Sequence, residues 1–177
     1  MRGLILAALL LVPGLSAAQE KGTELGLGIT ALGVDITGGE TVFQFLASQR
    51  YVSVGLYVSP TIAIEPAASL NVTSGGGATI AVLAFGVGVP VHTTPNWGRQ
   101  GLFFAPAAAV TIVSADALGS SASATQVSVG LDVGTKVSIV DAVSLRVAGG
   151  FAYGLANDTF DDVISLTAQL GVSVFFN

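Results

Sequence analysis

Ile164-Ser165-Leu166-Thr167-Ala168-Gln169-Leu170-Gly171-Val172-Ser173-Val174-Phe175-Phe176 alternates along its whole length. Ile164, Leu166, Ala168, Leu170, Val172, Val174 and Phe176 share one face, and Ser165, Thr167, Gln169, Gly171, Ser173 and Phe175 share the other. A period of two belongs to an extended strand, whose successive side chains point to opposite faces. Thr125 to Ile139 repeats it, with Val127, Val129, Leu131, Val133, Val137 and Ile139 opposite Gln126, Ser128, Gly130, Asp132, Gly134, Lys136 and Ser138. Val143 to Leu155 sets its aliphatic positions against Ser144, Arg146, Ala148, Gly150, Ala152 and Gly154. Thr61 to Thr73 places Ile62, Ile64, Pro66, Leu70 and Val72 opposite Thr61, Glu65, Ser69, Asn71 and Thr73.

The composition of the two faces separates inside from outside. One is an aliphatic wall with no charge in these four segments; the other is mostly Gly, Ala and Ser. Turned toward water, the wall would be one very large apolar patch, which soluble monomers avoid. Turned toward lipid, it is what a spanning strand requires, and the small residues then fill a narrow interior. A soluble lipocalin-like barrel would have its large apolar groups inside. A secreted β-sandwich would have outer faces rich in Lys, Glu and Thr, and these are not.

Composition agrees. Charged residues make up 10% of the chain, against roughly 25% in a soluble domain, and hydrophobic residues reach 51%. Beyond the N-terminal segment no apolar run is long enough for a transmembrane helix. The nearest, Ile80 to Val91, is short and carries Gly86, Gly88 and Pro90. A closed barrel is the other structure that satisfies every backbone group in lipid. The formal net charge of −5 gives no support to nucleic-acid binding. With no Cys there is neither a disulfide framework nor a lipoprotein-type lipidation site.

The first eighteen residues read as a secretory signal peptide. Arg2 supplies the positive start, Gly3 to Val12 an apolar run, Pro13-Gly14 a break, and Ser16-Ala17-Ala18 the small residues of a cleavage site. The run is too short to cross a hydrocarbon core of roughly 30 Å. The expectation is cleavage after Ala18, then a single domain over 19–177 in the bacterial outer membrane.

Turn signals divide that domain into eight antiparallel strands, near 24–33, 41–58, 61–73, 78–92, 101–114, 125–139, 142–156 and 162–176. The predicted fold class is all-β, an eight-stranded up-and-down transmembrane barrel. Both termini fall on the periplasmic side, with turns at Ser59-Pro60, His92 to Gln100 and Val140-Asp141. Val34 to Glu40, Ser74 to Gly77, Ala115 to Ala124 and Asn157 to Asp161 become extracellular loops. Phe43 and Phe45 are out of phase with Val52, Val54, Leu56 and Val58, so a bulge is expected between Ala47 and Arg50, or 41–48 is a separate segment.

The C-terminus resembles the assembly signal of outer-membrane barrels, which has a polar residue, a Gly two positions on, and hydrophobics ending in an aromatic. Gln169, Gly171, Val174 and Phe176 match it; Asn177 departs from it by following the final aromatic. The mature chain as a whole resembles the small eight-stranded barrels of the OmpA/OmpX type. Val52 to Pro66, ending Ile64-Glu65-Pro66, is similar to the outer membrane protein beta-barrel domain families. The resemblance implies residence in the outer membrane, contact with its lipid and lipopolysaccharide, and insertion by the barrel-assembly machinery. It implies no particular activity. A monomer is expected.

On the inward face the pattern places Glu65, Asp132, Lys136 and Arg146, whose charges cancel. The third and seventh strands of eight face one another, so Glu65 is expected to reach Arg146 in a polar network that fills the lumen. Tyr51 and Tyr57 add to the filling, and Phe103 and Phe175 point inward to close the floor. The alternative use of such charges is a narrow ion path or a small-molecule site.

His92, the only histidine, falls at a strand end and reads as a solvated turn residue. It is followed by Thr93-Thr94-Pro95, without the nearby serine that outer-membrane lipid A deacylases pair with a histidine. No catalytic residue, metal site or cofactor is expected, and a zinc site has no ligand set. Asp35, Glu40, Asp116, Asp158, Asp161 and Asp162 form an acidic extracellular rim without Lys or Arg, read as a solvated surface. Asn157 to Asp162 lacks the spacing of a calcium loop. The function expected is therefore non-enzymatic: envelope integrity or surface interaction.

Overall fold

The computed structural model describes residues 22–45, 50–117 and 120–176. The expected signal peptide lies outside the described residues. Ten strands occur: β1 (Thr23–Thr37), β2 (Glu40–Phe45), β3 (Arg50–Ser59), β4 (Ile62–Gly75), β5 (Ala78–Gly88), β6 (Val91–His92), β7 (Gly101–Ala117), β8 (Ser120–Val140), β9 (Val143–Gly154) and β10 (Val163–Phe176). They make eight staves, because β2 and β3 follow one another along β1, and β5 and β6 follow one another between β4 and β7. Every pairing is antiparallel between successive staves, and β10 closes the sheet on β1 from Thr23↔Phe176 to Thr37↔Val163. Closure removes the edges that an open sheet would expose.

Local chemistry sets the turns. Gly38-Gly39 joins Thr37 to its partner Glu40, and Gly76-Gly77 joins Gly75 to Ala78. All four of these glycines have positive φ, as two-residue hairpin turns of the mirror-image kind require. Asp141-Ala142 and Pro60-Thr61 make the short turns at the opposite end. We call that end, which also carries both chain ends of the barrel, the terminal end, and its opposite the far end.

Several boundaries move from the sequence expectation. β1 continues to Thr37, and the long loop expected at Val34 to Glu40 shrinks to two glycines. Ala115 to Ala124 is mostly ladder, paired down to Ala117↔Ser120, because backbone pairing continues where side chains are merely small. The fourth stave breaks at Val89-Pro90, where Pro90 has no N–H to give. The phase change expected between Ala47 and Arg50 falls on residues 46–49, outside the described residues. β1 alongside carries its own register shift between Thr30 and Leu32.

The alternation appears directly in exposure. Along β9, Ser144, Arg146 and Ala148 are buried, while Leu145, Val147 and Gly149 between them are exposed. Leu27, Leu70, Val129, Leu131, Leu166 and Leu170 are all more than 40% exposed on the outer wall. The inward glycines have a steric purpose. Tyr51 lies across Gly28, Ser53 across Gly26, Phe103 against Gly134, and Asp132 over Gly150. A Cβ at any of these positions would collide with the neighbouring side chain. Alternating large and absent side chains on adjacent staves is how so narrow a cylinder fills.

Candidate functional site

The interior is organised in tiers from the terminal end upward. The loop of residues 93–100 tucks under the barrel. Trp97 takes a positive φ of 57°, and its N–H donates to the Pro60 carbonyl at 3.0 Å. Its ring meets the Tyr57 ring edge-on at 6.3 Å. Ser144 Oγ donates to the Arg99 carbonyl, fixing the far side of the same loop.

Above this floor lies the first ion pair. Lys136 Nζ donates to both carboxylate oxygens of Glu24 at 2.6 Å. Tyr57 OH gives its proton to Glu24 Oε2 at 2.7 Å and accepts from Lys136 at 3.4 Å. His92 Nε2 stands 3.3 Å from the same hydroxyl. Since the Tyr57 proton is already committed to Glu24, the histidine that fits is the neutral form protonated on Nε2, which leaves Nδ1 buried without a partner among the described residues. His92 is 3% exposed, with Tyr57 on one side and Phe103 on the other. The expectation of a solvated turn histidine is overturned. The short β6 ladder continues the stave past Pro90 and turns the imidazole inward.

The second pair stands one tier higher. Arg146 Nη1 donates to Glu65 Oε1 at 2.5 Å, with both side chains under 10% exposed. Lys136 and Arg146 are direct cross-strand partners on β8 and β9. Two cations in that position repel, so each needs its own carboxylate. Lys136 finds one on β1 and Arg146 one on β4, and these two braces cross the lumen. Phe103 lies between the cations, its ring 5.9 Å from Lys136 Nζ and 4.7 Å from the Arg146 guanidinium carbon. Phe103 and Phe175 are buried at the floor.

Of the four charges placed inward by sequence parity, the structure brings Glu65 and Arg146 together. It pairs Lys136 with Glu24, which that reading left out. Asp132 has no cation within 4.0 Å among the described residues. Glu24, Glu65 and Asp132 against Lys136 and Arg146 leave one net negative charge, so the expected cancellation fails. Glu24 shares parity with Gly26, Gly28 and Thr30, which was the available signal. The assembly-signal residues Gln169, Gly171, Val174 and Phe176 lie in the last stave, with Gly171 buried and Phe176 52% exposed.

Above the second brace is a cavity of about 230 Å³. One side is β5 and β7, with Gly86, Gly88, Ala105, Ala107 and Ala109; the other carries Tyr51, Asp132, Arg146 and Gln169. Among the described residues no group of His, Cys, Asp and Glu is arranged to hold a metal ion.

These features define a class: a closed antiparallel barrel with a filled lower lumen and an apolar outer wall, the fold of small eight-stranded outer-membrane barrels. Comparison with solved structures gives the same fold. Neisserial surface protein A superposes with a TM-score of 0.66 at 14% identity, over 86% of this chain and 95% of its own. The attachment invasion locus protein of Yersinia pestis, in complex with the heparin analogue sucrose octasulfate, gives 0.57 at 11% identity, over 88% and 98%. The N-terminal β-barrel domain of Pseudomonas aeruginosa OprF gives 0.50 at 12% identity, over 88% and 97%. No protein-family model and no curated protein matches the sequence.

Proposed function

We propose that this chain is an integral β-barrel of the bacterial outer membrane whose lower lumen is plugged, and that it serves the envelope without catalysis, in integrity or surface interaction. The observation that carries the reading is an apolar exterior wrapped around two buried cross-lumen ion pairs. Burying exposed aliphatic residues in lipid contributes about 25 cal/mol per Å². Two braces and an aromatic floor leave no room at the terminal end for a wide water path. His92 is sealed between two rings with Tyr57 as its only side-chain hydrogen-bond partner among the described residues, an arrangement suited to packing rather than proton transfer.

In this reading the chain is exported and cut after Ala18. Gln169, Gly171, Val174 and Phe176 present the signal to the barrel-assembly machinery. The monomer then contacts lipid along its wall and lipopolysaccharide at its far end. That end carries Asp35, Glu40 and Asp116 on the strand ends of β1, β2 and β7, and Asp158, Asp161 and Asp162 in the connection before β10, without a Lys or Arg. That surface does not suit a polyanion such as the sucrose octasulfate bound by the Yersinia protein; a neutral or cationic surface, or lipopolysaccharide bridged by divalent cations, fits it better.

The test joins three measurements. Outer-membrane fractions should contain a protein beginning at Gln19. The purified chain should require detergent and run at a different position on SDS gels before and after heating. Planar bilayers should show no large stable conductance. Solubility as a monomer without detergent would sink the membrane reading, and a reproducible porin-sized current would sink the plug.

A further inference from the structure

We infer that the cavity above the Glu65–Arg146 brace is a binding site for a small organic cation, an alkylammonium or guanidinium compound. This rests on the reading of the chain as a folded barrel and names a ligand class for its lumen.

Three observations converge. The first is charge. Lys136 and Arg146 are each consumed by a carboxylate, and Asp132 is left facing the cavity with no cation within 4.0 Å among the described residues. One uncompensated carboxylate in a confined lumen favours a cation beside it. The second is what the cationic partner already present can offer. Arg146 lines the cavity, but its Nη1 is on Glu65, so its charge is already engaged by that carboxylate before any anion arrives. The third is shape and polarity. The wall on β5 and β7 is bare Gly and Ala, which gives an alkyl group apolar contact, and Gln169 and Tyr51 complete the opposite side.

A metal ion does not fit as well. Hard cations take six or more oxygen ligands, and the cavity presents a single unpaired carboxylate. At about 230 Å³ the space is below the roughly 300–1,000 Å³ of drug-sized pockets, so the ligand is small. The route in is consistent with this. Toward the far end, the inward positions of β8 and β9 are small at Gly130, Ser128, Ala152 and Gly154, and the Gln126 side chain lies over Gly154 at the mouth. The rim beyond them is acidic, so cations concentrate at the mouth.

The test titrates the detergent-folded chain with propylammonium, with 1-butanol and butyrate as neutral and anionic counterparts of similar size. NMR resonances of Tyr51, Asp132 and Gln169 report occupancy, and the heat-dependent gel shift reports the barrel independently. Propylammonium alone should shift those resonances saturably. Asp132→Asn should weaken it about tenfold or more, the loss expected for one charge-assisted hydrogen bond. Ala107→Phe, which fills the cavity and leaves the charge in place, should abolish saturation and keeps the test decisive if Asp132→Asn does not fold. Neutralising Asp158, Asp161 and Asp162 together should weaken binding less than Asp132→Asn. Saturation unchanged in Asp132→Asn or Ala107→Phe, or equal saturation by sodium, magnesium or 1-butanol, would overturn the proposal. A heat-shifted barrel that never saturates sinks this inference alone, whereas absence of the heat shift sinks the membrane-barrel reading beneath it.

Discussion

Removing Arg146 tests how the interior is held together. Its guanidinium sits 2.5 Å from Glu65 and 4.7 Å from the Phe103 ring, and the side chain is 6% exposed. Arg146→Ala therefore removes a buried partner and leaves the Glu65 carboxylate desolvated and alone. Breaking a buried pair in this way costs about 3–5 kcal/mol, and the lost ring contact adds about 0.5–2 kcal/mol. Glu65→Ala leaves a buried guanidinium unpaired and belongs in the same range, less the ring contact, which survives. The double variant removes both charges and should recover much of the loss, giving a coupling of about 2 kcal/mol or more. The assay is urea unfolding from detergent micelles, followed by Trp97 fluorescence and the heat-dependent gel shift. Trp97 is the only tryptophan in the chain and packs against Tyr57 at the floor, so it reports the loss of the terminal-end packing. If the two single losses add to within about 0.5 kcal/mol, the residues are energetically independent. The cross-lumen brace would then be a contact without consequence.

Lys136→Met should cost about 3–5 kcal/mol by stranding Glu24; Lys136→Met with Glu24→Gln should recover part of it, and no recovery in unfolding experiments would show that the pair is not coupled. Gly134→Ala puts a Cβ 2.6 Å from the Phe103 ring and 2.8 Å from Ala148, so overpacking should cost about 1–3 kcal/mol; an unchanged urea midpoint would refute the socket account of inward glycines. Val129→Arg places a charge on the outer wall, where the residue is 48% exposed, and should impair folding into vesicles by about 2–4 kcal/mol near the midplane. Val129→Asn and Ser128→Asn folding into lipid equally well would contradict the face assignment.

Much of this molecule was legible in one dimension. Parity along Ile164 to Phe176 and Thr125 to Ile139 separated the lipid-facing wall from the lumen, because side-chain direction in a strand is local and alternates whatever the partner. The same rule put Phe103, Phe175, Glu65 and Arg146 inside. Counting staves put β4 opposite β9, and the structure has Glu65 and Arg146 in contact there. The places of the connections at Val34 to Glu40 and Ser74 to Gly77 were visible too, although their length was not, since the extent of a ladder depends on backbone pairing that small side chains do not announce.

What the sequence alone did not decide is which inward groups meet. Glu24 stands at the edge of the first expected strand, where parity is least constrained; closure of β1 on β10 is what brings its carboxylate within reach of Lys136. His92 stands at the end of the fourth expected strand, and only the resumed pairing with β7 beyond Pro90 turns its ring under Tyr57. Asp132 and Lys136 lie four residues apart on one face of β8, yet one is paired and the other faces a cavity. Height, stagger and the bulk of opposite staves settle such differences. They become defined only when the sheet closes, because a cross-lumen distance is a property of the whole cylinder and of no single strand.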